Sequence, residues 1–338
     1  MVSHRLVWAD SLKGVLIILV VLGHAIQVVL GQGCFDNHLW NLIYSFHMAA
    51  FFAVSGWLAY KGVGITWGGL KMVCRKRCLQ LLVPYVSWSI ISFCISRVYS
   101  FHNFSAMLLY PDRYFWFLWV LFWICILFSL SRYLSAKVKM DELWGVAIAS
   151  IIMLVVMIRF DFRMFGFQFL AYYFIFYVLG YCMHRLDFLQ FSNKNVLMSL
   201  AVLWFLLAWS WNMHKLPNWF PENFPIPTTL VQYAYRGLTA LIAVIVMLSI
   251  GPKLLNGTNL LNSYVSKLGA YSLGIYVCHL CFMGSLYKGI NTLFPSFPIW
   301  LDVVILFTLS LVSTVFIVAI LKRNCVTAKL LLGKQELS

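Results

Sequence analysis

Residues 12–30 read Leu12-Lys13-Gly14-Val15-Leu16-Ile17-Ile18-Leu19-Val20-Val21-Leu22-Gly23-His24-Ala25-Ile26-Gln27-Val28-Val29-Leu30, an apolar run with one cation at its start and one imidazole deep inside it. At 1.5 Å per residue a helix of this length crosses the hydrocarbon core of a bilayer, about 30 Å thick. A titratable ring at that depth is costly in lipid. His24 must therefore face protein or a water-filled cavity, and it is a site candidate by default. The next apolar run holds a second polar island, Tyr44-Ser45-Phe46-His47-Met48. Two histidines in consecutive spans are hard to attribute to packing.

The same character extends over the whole chain. Its 338 residues are 62% hydrophobic and 10% charged, with mean hydropathy +0.87, whereas a soluble domain carries about 25% charged residues. Apolar runs recur near 12–31, 41–60, 79–97, 115–131, 143–158, 167–183, 196–211, 229–249, 270–288 and 299–320. This pattern predicts an all-α polytopic membrane protein of about ten transmembrane helices, a single membrane domain over 1–338, with N- and C-termini cytoplasmic. Lys and Arg collect on the cytoplasmic side of membranes, and the ten-span register agrees. Only Arg97, Arg113, Arg159, Arg163, Lys215, Arg236 and Lys288 of the 25 cations fall on the outward side.

The net charge of +15 is thereby explained by topology and by an anionic inner leaflet. No soluble basic domain is present to bind nucleic acid. The first span is too long for a signal peptide and lacks a small-residue cleavage pattern. The nine cysteines lie mostly within or beside spans and read as structural thiols, with Cys34 in an outward loop. Cys278 and Cys281 flank His279, but no further acid or histidine cluster completes a four-ligand zinc set, and no metal is expected. The outward connection from Trp211 to Thr228, with Pro217, Pro221, Pro225 and Pro227, reads as a semi-ordered interfacial cap, with a substrate lid as the alternative.

Chemistry follows from spacing. Lys13 and His24 are eleven residues apart, which returns to nearly the same helix face with a rise of about 16 Å. Asp10 is too far along the helix to orient His24 and is better placed to pair with a basic residue near the inner surface. His24 near the outward end of one span and His47 near the outward start of the next come to similar depth if the spans are antiparallel. An imidazole, with an ordinary pKa near 6.5, then serves as a general base. His47 reads equally as a substrate-binding or a structural residue, and His279 is a further candidate for the same cavity. Lys71, Arg75, Lys76 and Arg77 precede Leu79-Gln80-Leu81-Leu82-Val83-Pro84-Tyr85; beyond anchoring the chain, four cations so close together suit a phosphate-rich donor. Arg113 with Trp116, and Arg159 with Arg163, read either as interface anchors or as a vestibule gripping sugar hydroxyls and ring faces. Ser55-Gly56 reads as a close helix contact.

Asp10-Ser11-Leu12-Lys13-Gly14 followed by the run to Gly23-His24, then Tyr44 to Met48 and Phe52-Ala53-Val54-Ser55-Gly56, resembles the acyltransferase 3 family. The likeness is greatest to its short members, the fucose 4-O-acetylase-like and exopolysaccharide O-acetyltransferases. Weaker echoes are Arg75 to Pro84, Trp116-Phe117-Leu118 and Ser272-Leu273-Gly274-Ile275-Tyr276 with His279. The resemblance implies a multi-pass enzyme of the bacterial cytoplasmic membrane. It would take an acyl group, usually acetyl, from cytoplasmic acetyl-CoA and deliver it to a hydroxyl of a lipid-linked or cell-surface glycan. It places the family's essential histidine at His24. Many members carry arginine where this chain has Lys13, and lysine keeps the charge but loses the planar fork. Membrane lipids, and a second copy of the chain, are further partners that the reading allows. A transporter or flippase of a glycan intermediate is the rival class, although the paired broken helices that often mark secondary transporters are not seen.

Overall fold

A computed structural model describes residues 6–96, 115–160, 164–188, 193–221, 226–257 and 259–333, and all secondary structure among them is helical. In chain order the α-helices are α1 Val7–Leu30, α2 His38–Tyr44, α3 His47–Trp57, α4 Trp67–Arg77, α5 Val83–Ser96, α6 Trp116–Lys137 and α7 Glu142–Phe160. They continue as α8 Phe167–Arg185, α9 Lys194–Trp209, α10 Thr228–Leu254, α11 Leu260–Ala270, α12 Ser272–Leu293, α13 Ile299–Leu321 and α14 Cys325–Leu332. The chain forms two compact units, Met1–Val54 with Asp187–Val318, and Ser55–Leu186 with Ala319–Ser338.

In the first unit α1 is the axis, packed against α2, α10, α11 and α12. Leu16, Ile17, Val20, Val21 and Ala25 are almost wholly shielded along it. The helix stops at Gly31, whose φ of 55° is left-handed backbone that favours glycine. The shorter helices start on side-chain caps. Asn37, Thr66, Asn193, Asn259 and Asn324 each accept from a backbone N–H in the first turn of α2, α4, α9, α11 and α14, which satisfies donors that the helix leaves open.

Packing of α11 on α1 is backbone to backbone. A Cβ on Gly14 would run into the carbonyl oxygen of Val265, and one on Gly269 into that of Asp10. Gly269→Ala is therefore expected to cost about 1–3 kcal/mol, the usual range for overpacking, and to lower the apparent Tm in detergent. Gly289→Ala on α12, where a Cβ meets nothing within 4 Å, should leave Tm unchanged; equal Tm values for the two variants would refute the close approach.

In the second unit α6 packs against α4, α7 and α8, and α14 packs against α5. The Trp88 indole N–H donates to the Leu331 carbonyl at 2.9 Å. The close contact expected at Ser55-Gly56 is present, since a Cβ on Gly56 would strike the Tyr177 carbonyl of α8.

Among the described residues seven helices are long and apolar enough to cross a membrane, so the chain is a polytopic α-helical membrane protein. Helices stand at all ten expected places, but three fall short of that standard. The tyrosines, Gln168 and His184 dilute α8, α9 has 16 residues, and the run 41–60 is broken. There Ser45 and Phe46 form a turn between α2 and α3. The Ile43 carbonyl is engaged by the Phe46 N–H at 3.4 Å and by His47 Nδ1 at 2.8 Å, so a side chain takes the place of the regular i to i−4 bond.

Candidate functional site

The break in the second span sits beside the histidine of the first. Within the first unit His24 of α1 lies between His279 of α12 and Tyr44, whose other side meets His47 at the start of α3. The rings of His24 and His279 have centroids 5.1 Å apart. The Tyr44 ring lies edge-on to His24 at 6.3 Å and to His47 at 4.7 Å. Gly23 makes this possible, because a Cβ there would come within 2.8 Å of the Tyr44 ring. The Tyr44 hydroxyl donates to Gln27 Oε1 at 3.3 Å, one turn along α1 from His24.

Helical geometry decides what the three imidazoles offer. His47 Nδ1 lies 2.8 Å from the Ile43 carbonyl and His279 Nδ1 lies 3.0 Å from that of Ile275. A carbonyl only accepts, so both Nδ1 atoms carry the proton and both neutral rings present Nε2 as a lone pair. His279 is fully shielded, and its Nε2 has no hydrogen-bond partner among the described residues. His24 is half-buried. Three imidazoles brought together from three helices, two of them long and apolar enough to span a membrane, are the arrangement expected of a site rather than of a lone satisfied core histidine.

The outer wall of this cluster is aromatic. Trp40 stacks on Tyr44 at 3.8 Å and 19°, and it shares a buried cluster with Ile26, Cys34, Ile43, Trp211 and Tyr235. The beginning of the proline-rich connection is held down rather than free. Asn212 donates to the Phe35 carbonyl at 2.7 Å, Gln232 donates to that of Met213 at 2.9 Å, and Trp219 meets Tyr235 edge-on at 5.9 Å. Residues 222–225 of that connection lie outside the described residues. Lys13 is ion-paired with Asp10 at 3.5 Å, the type of partner that Asp10's position favoured.

A second feature occupies the second unit by itself. A cavity of about 410 Å³ is lined by Lys61, Lys76, Arg77 and Arg132 with Cys125, Ser129 and Tyr177 among others. Arg77 donates to Gln80 Oε1 at 3.2 Å. Of the four cations that the sequence groups together, Lys76 and Arg77 line this cavity, whereas Lys71 and Arg75 are exposed and lie outside its wall. Lys71 sits over the Trp67 ring at 5.3 Å. The helical turn explains the division, since positions 71 and 75 share a face that 76 and 77 do not.

Arg132 is fixed by a buried network. Its Nε donates to Glu142 Oε2 at 2.6 Å and its Nη2 to the Val63 carbonyl at 2.9 Å. The guanidinium lies over the rings of Phe128 and Tyr181 at 5.9 and 5.2 Å. Glu142 also accepts from the Tyr181 hydroxyl and pairs with Arg185 at 3.2 Å. Arg185 further bonds Asp141 at 2.7 Å. That bond, helped by the Leu143 N–H, holds the Asp141 carboxyl below the usual carboxylate range.

Of the vestibule candidates, Trp116 stacks against Phe169 and Tyr173 at 4.8 and 5.4 Å, a packing role within the second unit. Arg159 is exposed near the end of α7. Arg113 and Arg163 lie outside the described residues.

The family model described as an acyltransferase domain, acyltransferase 3, matches residues 6–323 of this chain. The chain belongs to this family. It is also similar to the Nodulation protein NolL of Sinorhizobium fredii, with 34% identity over 131 residues, 35% of this chain and 34% of that protein. The Nodulation protein NolL of Mesorhizobium japonicum is 28% identical over 153 residues, 42% of this chain and 39% of that protein. The chain thus spans little more than a third of the length of the curated relatives it matches. No solved structure matches it significantly.

Several residues of these sites carry no sequence signal of their own. Gln27 and Trp40 are single polar or aromatic residues in apolar runs, and Lys61, in a connection, and Arg132, near the end of α6, are brought to one cavity only by folding. The signal that could have found Arg132 is its pairing with Glu142 across a short turn, a motif of opposite charges at adjoining span ends.

Proposed function

We propose that the protein is a membrane O-acyltransferase that moves an acyl group, most simply acetyl, from acetyl-CoA to a hydroxyl of a lipid-linked or cell-surface glycan. His24 is the general base. The observation that carries this reading is the convergence of His24, His47 and His279 from three helices in a member of an acyltransferase family.

In the proposed reaction, His24 takes the proton of the acceptor hydroxyl while the oxygen attacks the thioester carbonyl. The tetrahedral intermediate collapses by breaking the carbon–sulfur bond, and the protonated His24 returns its proton to the departing thiolate. An ester and free coenzyme A thiol result, with atoms and charge balanced. His47 and His279 offer lone pairs rather than N–H groups, so they suit substrate hydroxyls or the protonated His24, not an oxyanion. Lys76, Arg77, Lys61 and Arg132 around the second unit's cavity suit the donor's phosphates, which cations bind strongly. The accompanying proposals are a single membrane domain in the bacterial cytoplasmic membrane, both termini and the donor on the cytoplasmic side, and no metal.

The test gives purified protein labelled acetyl-CoA and a crude pool of lipid-linked glycans. Label appearing in glycan is the expected outcome. Movement of glycan across vesicle membranes without acetyl-CoA, and with no label transferred, would replace the proposal with the transporter reading.

A further inference from the structure

Helix α10 carries Arg236 two turns inside its first residue, about 12 Å along the axis. A guanidinium within an apolar span is costly, and in membrane proteins such groups are paired or serve a ligand. Among the described residues no carboxylate ion-pairs with Arg236; its Nη1 donates to the Met213 carbonyl at 3.5 Å, and its Nε is buried with no partner. Otherwise it rests on π faces, with its guanidinium carbon 5.5 Å from the Trp211 ring and 5.9 Å from the Tyr233 ring.

The neighbouring unsatisfied group is of the same kind. Among the described residues the buried indole N–H of Trp211 has no acceptor; Trp211 shares one buried cluster with Trp40, whose own indole N–H is engaged by the Tyr44 hydroxyl. Two N–H donors with nothing to donate to, one of them on a cation, describe the complement of an acceptor-rich, negatively charged group. The cluster also leads to the proposed catalytic centre, because Trp40 stacks on Tyr44 and the Tyr44 ring meets His24 and His47.

We infer that Arg236, with the indole N–H of Trp211, forms an anion subsite that holds a phosphate or carboxylate of the glycan acceptor. This rests on the acyl-transfer reading and names the substrate class for it: a charged glycan, either one linked to lipid through phosphate or one containing a uronic acid. The subsite is separate from the donor cations and fixes which acceptors reach His24.

The experiment compares wild type with Arg236→Gln, Arg236→Lys and Trp211→Phe. Acceptors are a polyprenyl-phosphate-linked sugar, a glucuronic acid glycolipid and a neutral glucosyl lipid, with labelled acetyl-CoA as donor. Arg236→Gln should raise KM about tenfold or more for an anionic acceptor, the size of one lost charge-assisted hydrogen bond, and leave the neutral acceptor within about twofold. Whichever anionic acceptor responds identifies phosphate or carboxylate. Arg236→Lys should recover part of the loss, because it keeps the charge without the fork. Trp211→Phe, which removes one N–H and keeps an aromatic ring, should show a smaller rise for the same acceptor.

A second readout needs no turnover. Farnesyl phosphate or octyl glucuronide, but not octyl glucoside, should raise the Tm of purified wild type by mass action and fail to raise that of Arg236→Gln. If no acceptor is acylated by wild type, the acyl-transfer reading fails while this thermal readout still decides the anion subsite. An equal KM rise for neutral and anionic acceptors, or stabilisation of Arg236→Gln equal to that of wild type, overturns the inference.

Discussion

His24→Ala should lower acetyl transfer by about 10²–10⁴-fold, the contribution usual for a positioned general base, while leaving folding stability within about 1 kcal/mol of wild type. Its side chain is half-buried and its hydrogen-bond partner Gln27 keeps the Tyr44 hydroxyl, so truncation leaves a small gap and no isolated charge. His279→Ala gives the contrast. That ring is fully shielded, and its Nδ1 is tied to the Ile275 carbonyl, so removing it should cost stability as well as rate. His24→Gln separates base chemistry from hydrogen bonding, because an amide fills similar space and cannot take the proton; it should be as inactive as His24→Ala. If His24→Gln retained more than about a tenth of wild-type kcat, His24 would be reduced to a binding group, since loss of a base costs at least about a hundredfold. Product analysis by mass spectrometry of the glycan pool, with both substrates saturating, provides the measurement.

The helical architecture was legible because hydropathy and helix length are local properties. A run such as 12–30 leaves the backbone no other way to satisfy its polar groups in lipid. His24 was legible for the same reason, as one titratable ring deep inside a nineteen-residue, mainly apolar run. What escaped is whatever depends on a second segment. Nothing near Leu260–Ala270 announces that Gly269 lets α11 lie directly on α1, and the mixed polarity of that stretch resembles a connection more than a helix. The break at Ser45-Phe46 was invisible for a related reason. It arises from His47 bonding a carbonyl four residues back, and composition records only the presence of the histidine. The basic cluster was legible as charge but not as geometry, because neighbouring residues on one helix point in different directions.

Arg132→Ala is expected to produce the largest loss of stability in the second unit, about 3 kcal/mol. The reasoning starts from the guanidinium's surroundings. Its side chain is 8% exposed, and it serves Glu142 and the Val63 carbonyl at once. Removing one partner of a buried ion pair costs about 3–5 kcal/mol, because the other charge is left in low dielectric. The lower figure applies here, because Glu142 retains Arg185 and the Tyr181 hydroxyl. Loss of the Val63 contact has a second consequence. Val63 belongs to the connection before α4 that walls the cavity together with Lys76 and Arg77, so releasing it should raise the KM for acetyl-CoA more than the KM for the acceptor. Arg132→Lys distinguishes the two effects. One ammonium on a thinner stem preserves the charge opposite Glu142 but cannot span both partners in the arginine's planar geometry, so Tm should largely recover while donor KM stays high. Arg75→Ala, exposed and outside the cavity wall, should change neither quantity, whereas Arg77→Ala should raise donor KM. The reverse order, with Arg75 mattering more than Arg77, would place the donor phosphates on the exposed face of α4 and remove the cavity from the proposed mechanism.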